Sequence, residues 1–237
     1  MLTLASALFA AIVTTVLVLA FLYRTRIDYE DAFRDLRFPR VLASDYVPHS
    51  GDIVFANNGF GRPIINMALD GFFHHVGIVL DVDGAPVMLE SLPPRAGRDT
   101  DGLVVRLWSE IIASNVYLFA MPLNRPLDAR RNAELVSLTE RNYAYPSHPE
   151  LIKRFLTAQA TDVADESAHC YDVIALALKA IGFADLLALS MAQKSKELER
   201  LYERELPDGY RYLPPIEIIP MQTSNPAPDI RAHGSFE

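Results

Sequence analysis

At 237 residues the chain has room for one globular domain with appendages, and half of its residues are apolar, enough for a sizeable core. Its formal net charge of -8 excludes the basic stripe that a nucleic-acid partner requires. A single cysteine excludes an internal disulfide framework and a cysteine-based zinc site, and is compatible with either side of a membrane.

Residues 2–23 carry no charged side chain, and their only polar members before Tyr23 are Thr3, Ser6, Thr14 and Thr15. An apolar run of roughly 20 residues is long enough to span a bilayer as a helix. The run predicts a transmembrane anchor over residues 1–24 and a single-pass membrane protein. A cleaved signal peptide is the alternative. It is disfavoured because no Lys or Arg precedes the run, which also exceeds the usual ~7–15-residue signal core. Arg24 and Arg26 lean the following domain toward the cytoplasmic side, although Asp28, Glu30 and Asp31 dilute that lean and the side stays open.

Residues 25–48 read as a charged juxtamembrane stalk. The core begins at Gly51-Asp52-Ile53-Val54-Phe55, a turn and a short strand. A short helix over 63–69, with Pro63 in its first turn, precedes strands at 75–82 and 86–91. A loop rich in Pro, Gly and Arg (93–102) leads to a strand at 103–107, a helix at 108–114 and a strand at 116–120. Helices then follow at 127–142, 149–160, 170–181 (closed by Gly182) and 185–205. Residues 49–213 thus form the expected domain, and 214–237 an extended or disordered tail. Strands first and helices later give an α+β fold, an antiparallel sheet packed on helices.

The candidate chemistry lies in His75, Glu90 and Cys170. Asp83-Gly84 is a two-residue hairpin signal, because a type I′ turn needs positive φ at both positions. With Val82 and Ala85 flanking it, Leu80 faces Val87, Ile78 faces Leu89 and Gly77 faces Glu90. His75 shares the parity of Gly77, so it points to the face of Glu90, one diagonal step away at roughly 7–8 Å. Gly77 is expected to leave the gap between them open. His74 has the wrong parity, and only a bulge would reverse the choice. Cys170 opens a helix apolar on nearly every face, a placement that buries the helix and holds the sulfur at its N-terminus. A thiol ionises near pH ~8.5, and a helix start and a neighbouring imidazolium both favour the thiolate. Together the three residues suit a thiol nucleophile (Cys170), its base (His75) and an orienting acid (Glu90). Taken singly, each has an ordinary reading: a small buried hydrophobe, a strand-edge histidine and a solvated strand end.

The chain resembles the circularly permuted branch of the NlpC-type papain-like superfamily, the YaeF/YiiX-like group of cysteine amidase or peptidase candidates. Lecithin:retinol acyltransferase-like enzymes are more distant relatives. The resemblance covers roughly residues 48–183. It rests on Gly51-Asp52-Ile53-Val54-Phe55, His75-Val76-Gly77-Ile78-Val79, Leu89-Glu90 and a late cysteine opening a helix. It implies a permuted papain-like domain in which the nucleophile carries over to Cys170, the base to His75 and the polar third member to Glu90. Two positions depart from the pattern. His169 precedes the cysteine, where it reads as a second proton acceptor, a substrate contact or a capping residue. Tyr145, in Tyr143-Ala144-Tyr145-Pro146, is a candidate oxyanion or substrate contact, with packing as the alternative.

The implied function is a membrane-anchored cysteine hydrolase cleaving an amide or ester of a peptide or lipid through a thioester acyl-enzyme. The alternatives are a lipid acyltransferase or phospholipase-like thiol enzyme, and a non-catalytic membrane-anchored binding module on the same fold. No cofactor is expected. A metal hydrolase could draw on His74, His75 and His169, but no His-Glu-x-x-His spacing appears, so no metal site is assigned. The loop over 93–101, with Arg95 and Arg98, reads either as a contact for an anionic group or as a solvated loop. Phe60, Phe72 and Phe73 read as an acyl pocket or as core.

Overall fold

The computed structural model describes residues 38–57, 73, 75–93, 102–114, 117–147, 149–151, 154 and 167–219, together with Thr14. The strands are β1 (Arg40–Leu42), β2 (Ile53–Asn57), β3 (His75–Val82), β4 (Ala85–Leu92), β5 (Gly102–Leu107), β6 (Tyr117–Met121) and β7 (Ile216–Ile219). The helices are α1 (Trp108–Ser114), α2 (Ala129–Ser137), α3 (Cys170–Ala180) and α4 (Met191–Glu199). The fold is α+β. Its seven strands form one sheet in the order β1-β7-β6-β2-β3-β4-β5, antiparallel throughout except for the β1–β7 pair.

Alternation assigns each strand residue to one of two faces. Ile53, Phe55, Val76, Ile78, Leu80, Val87, Leu89, Phe119 and Met121 point to a core shared with Leu135, Val173, Ile174, Ala177 and Leu198 of the helices. Val54, Ala56, Val79, Met88, Leu118 and Ala120 point the other way, where Trp108 and Ile111 of α1 cover them. Both faces are covered, so the central strands are apolar on consecutive residues rather than on alternate ones.

The β3–β4 hairpin has the register that the Asp83-Gly84 turn predicts. Asp83 and Gly84 adopt φ of 54° and 81°, and the pairs Val82↔Ala85, Leu80↔Val87 and Ile78↔Leu89 follow. The space above Gly77 is not open, as expected from the sequence, but is filled by Met88. A Cβ at Gly77 would lie 2.7 Å from Met88 Cγ and 2.8 Å from its Sδ. Gly77 therefore makes room for Met88 across the hairpin.

The Gly51-Asp52 turn is a polar knot inside this core. Asp52 has no exposed surface, and its carboxylate accepts from Tyr46 Oη at 2.6 Å, His49 N–H at 2.9 Å and Leu123 N–H at 2.8 Å. Gly51 has φ of 97°, and its carbonyl accepts from Tyr212 Oη at 3.0 Å. Helix α3 ends in a Schellman motif at Gly182, with Phe183 N–H donating to Leu178 O at 2.8 Å and Gly182 N–H to Lys179 O at 3.0 Å.

The ends of the domain differ from expectation. β1 lies within residues 25–48 and β7 within 214–237, so both flanking segments contribute a strand to the sheet. The 127–142 helix is shorter, ending at Ser137 before a 3₁₀ turn over Leu138–Glu140. The 185–205 helix begins only at Met191, where Ser190 and Gln193 cap each other reciprocally.

Among the described residues no helix is long and apolar enough to cross a membrane. Cys170–Ala180 has eleven residues, about 16 Å at 1.5 Å per residue, against a hydrocarbon core about 30 Å thick. This corrects the single-pass expectation and the cytoplasmic lean that depended on it. Apart from Thr14, the 2–23 run lies outside the described residues, as do the 63–69 helix, His74, Phe60, Phe72 and residues 94–101 of the arginine-bearing loop.

Substituting Gly77→Ala should cost about 1–3 kcal/mol through overpacking against Met88, measured by urea unfolding. Met88→Ala in that background should recover part of the loss, and additive losses would contradict the packing account.

Candidate active site

The hairpin places two members of the candidate site. Glu90 sits on β4 with no exposed surface, and its Oε2 is hydrogen-bonded to His75 Nε2 on β3. The His75 side chain is 16% exposed, so this end of the hairpin is largely but not fully dry. The parity of the register thus brings His75 to the Glu90 carboxylate.

A third group completes the carboxylate. Arg106 on β5 donates from Nε to Glu90 Oε1, and from Nη1 to Ser114 Oγ at 3.1 Å. Arg106 pairs with Met88 and Val104 pairs with Glu90, so the arginine lies one diagonal step from the carboxylate on the same face. The sequence signal was slight, a lone cation within the apolar run Leu103-Val104-Val105-Arg106-Leu107 of an edge strand whose Val105 and Leu107 are exposed. Burial raises the Glu90 carboxyl, but hydrogen bonds and charge from His75 and then Arg106 outweigh it and hold Glu90 below its ordinary value.

Cys170 is the first residue of α3, and the helix crosses β3 and β4. The segment before it is fastened on both sides. Ser91 Oγ donates to Ala168 O at 2.6 Å, Ala168 N–H donates to Ala144 O at 3.0 Å, and Tyr171 Oη donates to Phe73 O at 2.5 Å. Phe73 itself is buried in the core, stacked on Phe55 at 4.6 Å. Cys170 is 1% exposed. Burial pushes its thiol up. The charge and hydrogen bonding of His169, and then the hydrogen bond and charge of His75, more than reverse this and bring it down to about 6. Burial likewise lowers the His75 imidazole, while hydrogen bonds to Cys170 and Glu90, with their charges, raise it to about 10. The coupled pair favours thiolate with imidazolium across the neutral range.

The two histidines meet the sulfur differently. His75 commits Nε2 to Glu90, which leaves Nδ1 as the ring nitrogen available for the sulfur. His169 presents Nδ1 at 3.4 Å and Nε2 at 3.8 Å to Cys170 Sγ. Near-equal distances put the sulfur across the ring edge rather than along one N–H direction, a poor geometry for directed proton transfer. Tyr145, partly buried, packs its ring 5.6 Å from that of His169. At the helix start, the Asp172 and Val173 N–H groups donate to His169 O at 2.9 and 3.0 Å.

Among the described residues no group of three or more His, Cys, Asp or Glu side chains is arranged to hold a metal ion. No protein-family model matches the chain, and no curated protein matches it. Among solved structures, the crystal structure of metalloprotein yiiX from Escherichia coli O157:H7 (DUF1105) is similar, with 13% identity, coverage of 73% of this chain and 98% of that chain, and a TM-score of 0.44.

Replacing Glu90→Gln should let the His75 imidazole fall from about 10 and deprive the thiolate of its cationic partner. The pH midpoint of Cys170 alkylation should then rise by about one unit. An unchanged midpoint in a natively folded variant would show that Glu90 does not act on the pair.

Proposed function

We propose that this protein is a cysteine-dependent hydrolase acting on an amide or ester, with Cys170 as nucleophile, His75 as general base and acid, and Glu90 as the residue that orients His75. The observation that carries this reading is a buried carboxylate holding Nε2 of His75, an imidazole that interacts electrostatically with a sulfur placed at a helix start. These are the relative placements a thiol nucleophile requires.

In the proposed reaction the Cys170 thiolate attacks the acyl carbon, forming a carbon–sulfur bond. The developing oxyanion lies at the N-terminus of α3, where the helix dipole and the first-turn N–H groups favour negative charge. The His75 imidazolium then protonates the departing amine or alkoxide as its bond to the acyl carbon breaks. Water, deprotonated by His75, attacks the thioester and releases the carboxylic acid, and Cys170 leaves as thiolate. Arg106 keeps Glu90 ionised throughout and does not touch the reacting atoms.

The near-complete burial of Cys170 favours a second reading, a thiol-bearing domain of the same architecture that binds a partner without turnover. Alkylation separates the two. The hydrolase reading expects Cys170 to be reactive from about pH 6 upward; the binding reading expects a slow thiol with ordinary titration.

A thiol-directed acyl probe should label the wild-type chain. Cys170→Ala should abolish labelling, and His75→Ala should slow it by roughly 10²–10⁴-fold. Equal labelling of wild type and Cys170→Ala, both natively folded by circular dichroism, would sink the hydrolase reading.

A further inference from the structure

Asp172 lies two residues past Cys170 in the first turn of α3 and has no exposed surface. Its Oδ1 accepts from Lys194 Nζ at 2.7 Å, and both side chains of this pair are wholly buried. Its Oδ2 accepts from the His169 N–H at 3.1 Å and from Arg154 Nη1 at 3.3 Å. Arg154 is further engaged by Glu150 and donates to Ser167 Oγ at 2.8 Å. One carboxylate therefore ties α4 to the residue preceding the nucleophile.

This placement sets an electrostatic conflict. A carboxylate in the first turn satisfies helix N–H groups and suits the helix dipole. The same negative charge, out of water in the helix turn that Cys170 opens, opposes formation of a thiolate. An ammonium on the far oxygen removes the conflict while leaving the cap in place. Lysine is almost never fully buried unless paired, so the burial of Lys194 points to its bond with Asp172.

We propose that Lys194 is a positioning residue for the reaction at Cys170: its ammonium fixes the Asp172 carboxylate against the His169 N–H and cancels its charge, so that the start of α3 is held rigidly without repelling a thiolate. The proposal rests on the reading of Cys170 as nucleophile. Among the described residues, His169 and His75 on β3 act on the sulfur directly; Glu90 on β4 holds His75 and is itself held by Arg106 on β5, while Asp172, bonded to the His169 N–H, is held by Lys194 and by Arg154, which also pairs with Glu150. Lys194 and Asp172 act on the sulfur with opposite signs, which gives the test its direction.

The experiment is the pH dependence of iodoacetamide alkylation of Cys170 in the full chain, for wild type, Lys194→Met, Asp172→Asn and the double variant. Lys194→Met should move the midpoint up by about one unit and slow alkylation at low pH about tenfold. Asp172→Asn, which still accepts from the His169 N–H, should move it down, and the double variant should return near the wild-type value. If Lys194→Met does not fold, the other two variants carry the test: Asp172→Asn keeps an oxygen that accepts from the Lys194 ammonium, and the double variant leaves neither member of the pair charged. A wild-type midpoint well below the ordinary thiol value, with folded Asp172→Asn unchanged, would overturn the role of Lys194 and leave the nucleophile standing. An ordinary midpoint in the wild type would bring down both.

Discussion

A carboxylate without any exposed surface must be compensated, and Glu90 is compensated twice. His75 occupies one oxygen and Arg106 the other. Removing one partner from such a group typically costs about 3–5 kcal/mol, because a buried charge is left behind. The three residues come from three adjacent strands, β3, β4 and β5, so the bond set is also a register lock. A one-residue slip of either strand pair would turn its contribution to the other face of the sheet. The chemistry of the imidazole and the alignment of the sheet edge are thus held by the same oxygens.

The sulfur reaches this assembly from a distant part of the sequence. Ser91, one residue past Glu90, bonds the carbonyl of Ala168, and Tyr171, one residue past Cys170, bonds the carbonyl of Phe73. These two bonds bracket the pair. They join the strand end carrying Glu90 and the approach to β3 carrying His75 to the start of α3. Positioning a thiol and its base to a fraction of an ångström requires rigid support on both sides. Here it comes from backbone carbonyls, which move less than side chains do. The two histidines then divide by geometry. His75 has one nitrogen anchored and so a defined ring orientation, whereas His169 lies obliquely to the sulfur and supplies charge more readily than a directed proton path.

The hairpin was legible in the sequence because a two-residue turn admits one register and strand parity then selects His75 and Glu90. The helix carrying Cys170 was legible from its apolar run. Arg106 escaped notice because β5 follows a long loop, and its register against β4 cannot be counted out from a tight turn. Lys194 and Asp172 escaped for a different reason. A lysine in Met191-Ala192-Gln193-Lys194-Ser195 reads as a solvated helix face, and nothing local announces that a carboxylate lies inside the core beside it. β1 and β7 were obscured by composition. Ile216-Glu217-Ile218-Ile219 follows Pro214-Pro215, and its partner β1 lies more than 170 residues earlier in the chain. Gly77 was rightly placed on the face of Glu90, but its purpose depends on Met88, whose side-chain conformation parity does not determine.

The buried carboxylates differ in their partners, and the difference bears on what the charges are for. Asp52 is satisfied by a phenol and two backbone N–H groups, and burial pushes its carboxyl up. That arrangement fastens a turn with neutral donors. Glu90 and Asp172 instead each engage a cationic side chain, Arg106 and Lys194, and Glu90 moves in the opposite direction, below its ordinary value. Fastening alone does not call for this, since Asp52 shows the fold doing it without a cation. Replacing a buried ion pair by apolar side chains of similar volume is often neutral or stabilising by about 1–4 kcal/mol. On the proposed reading of Cys170 as nucleophile, the cations answer to a requirement other than stability. An imidazolium can be kept charged in a dry site only beside a carboxylate that stays ionised. A thiolate at a helix start tolerates a capping carboxylate only if that charge is cancelled. On that reading both requirements arise at the sulfur of Cys170, and neither arises at Asp52.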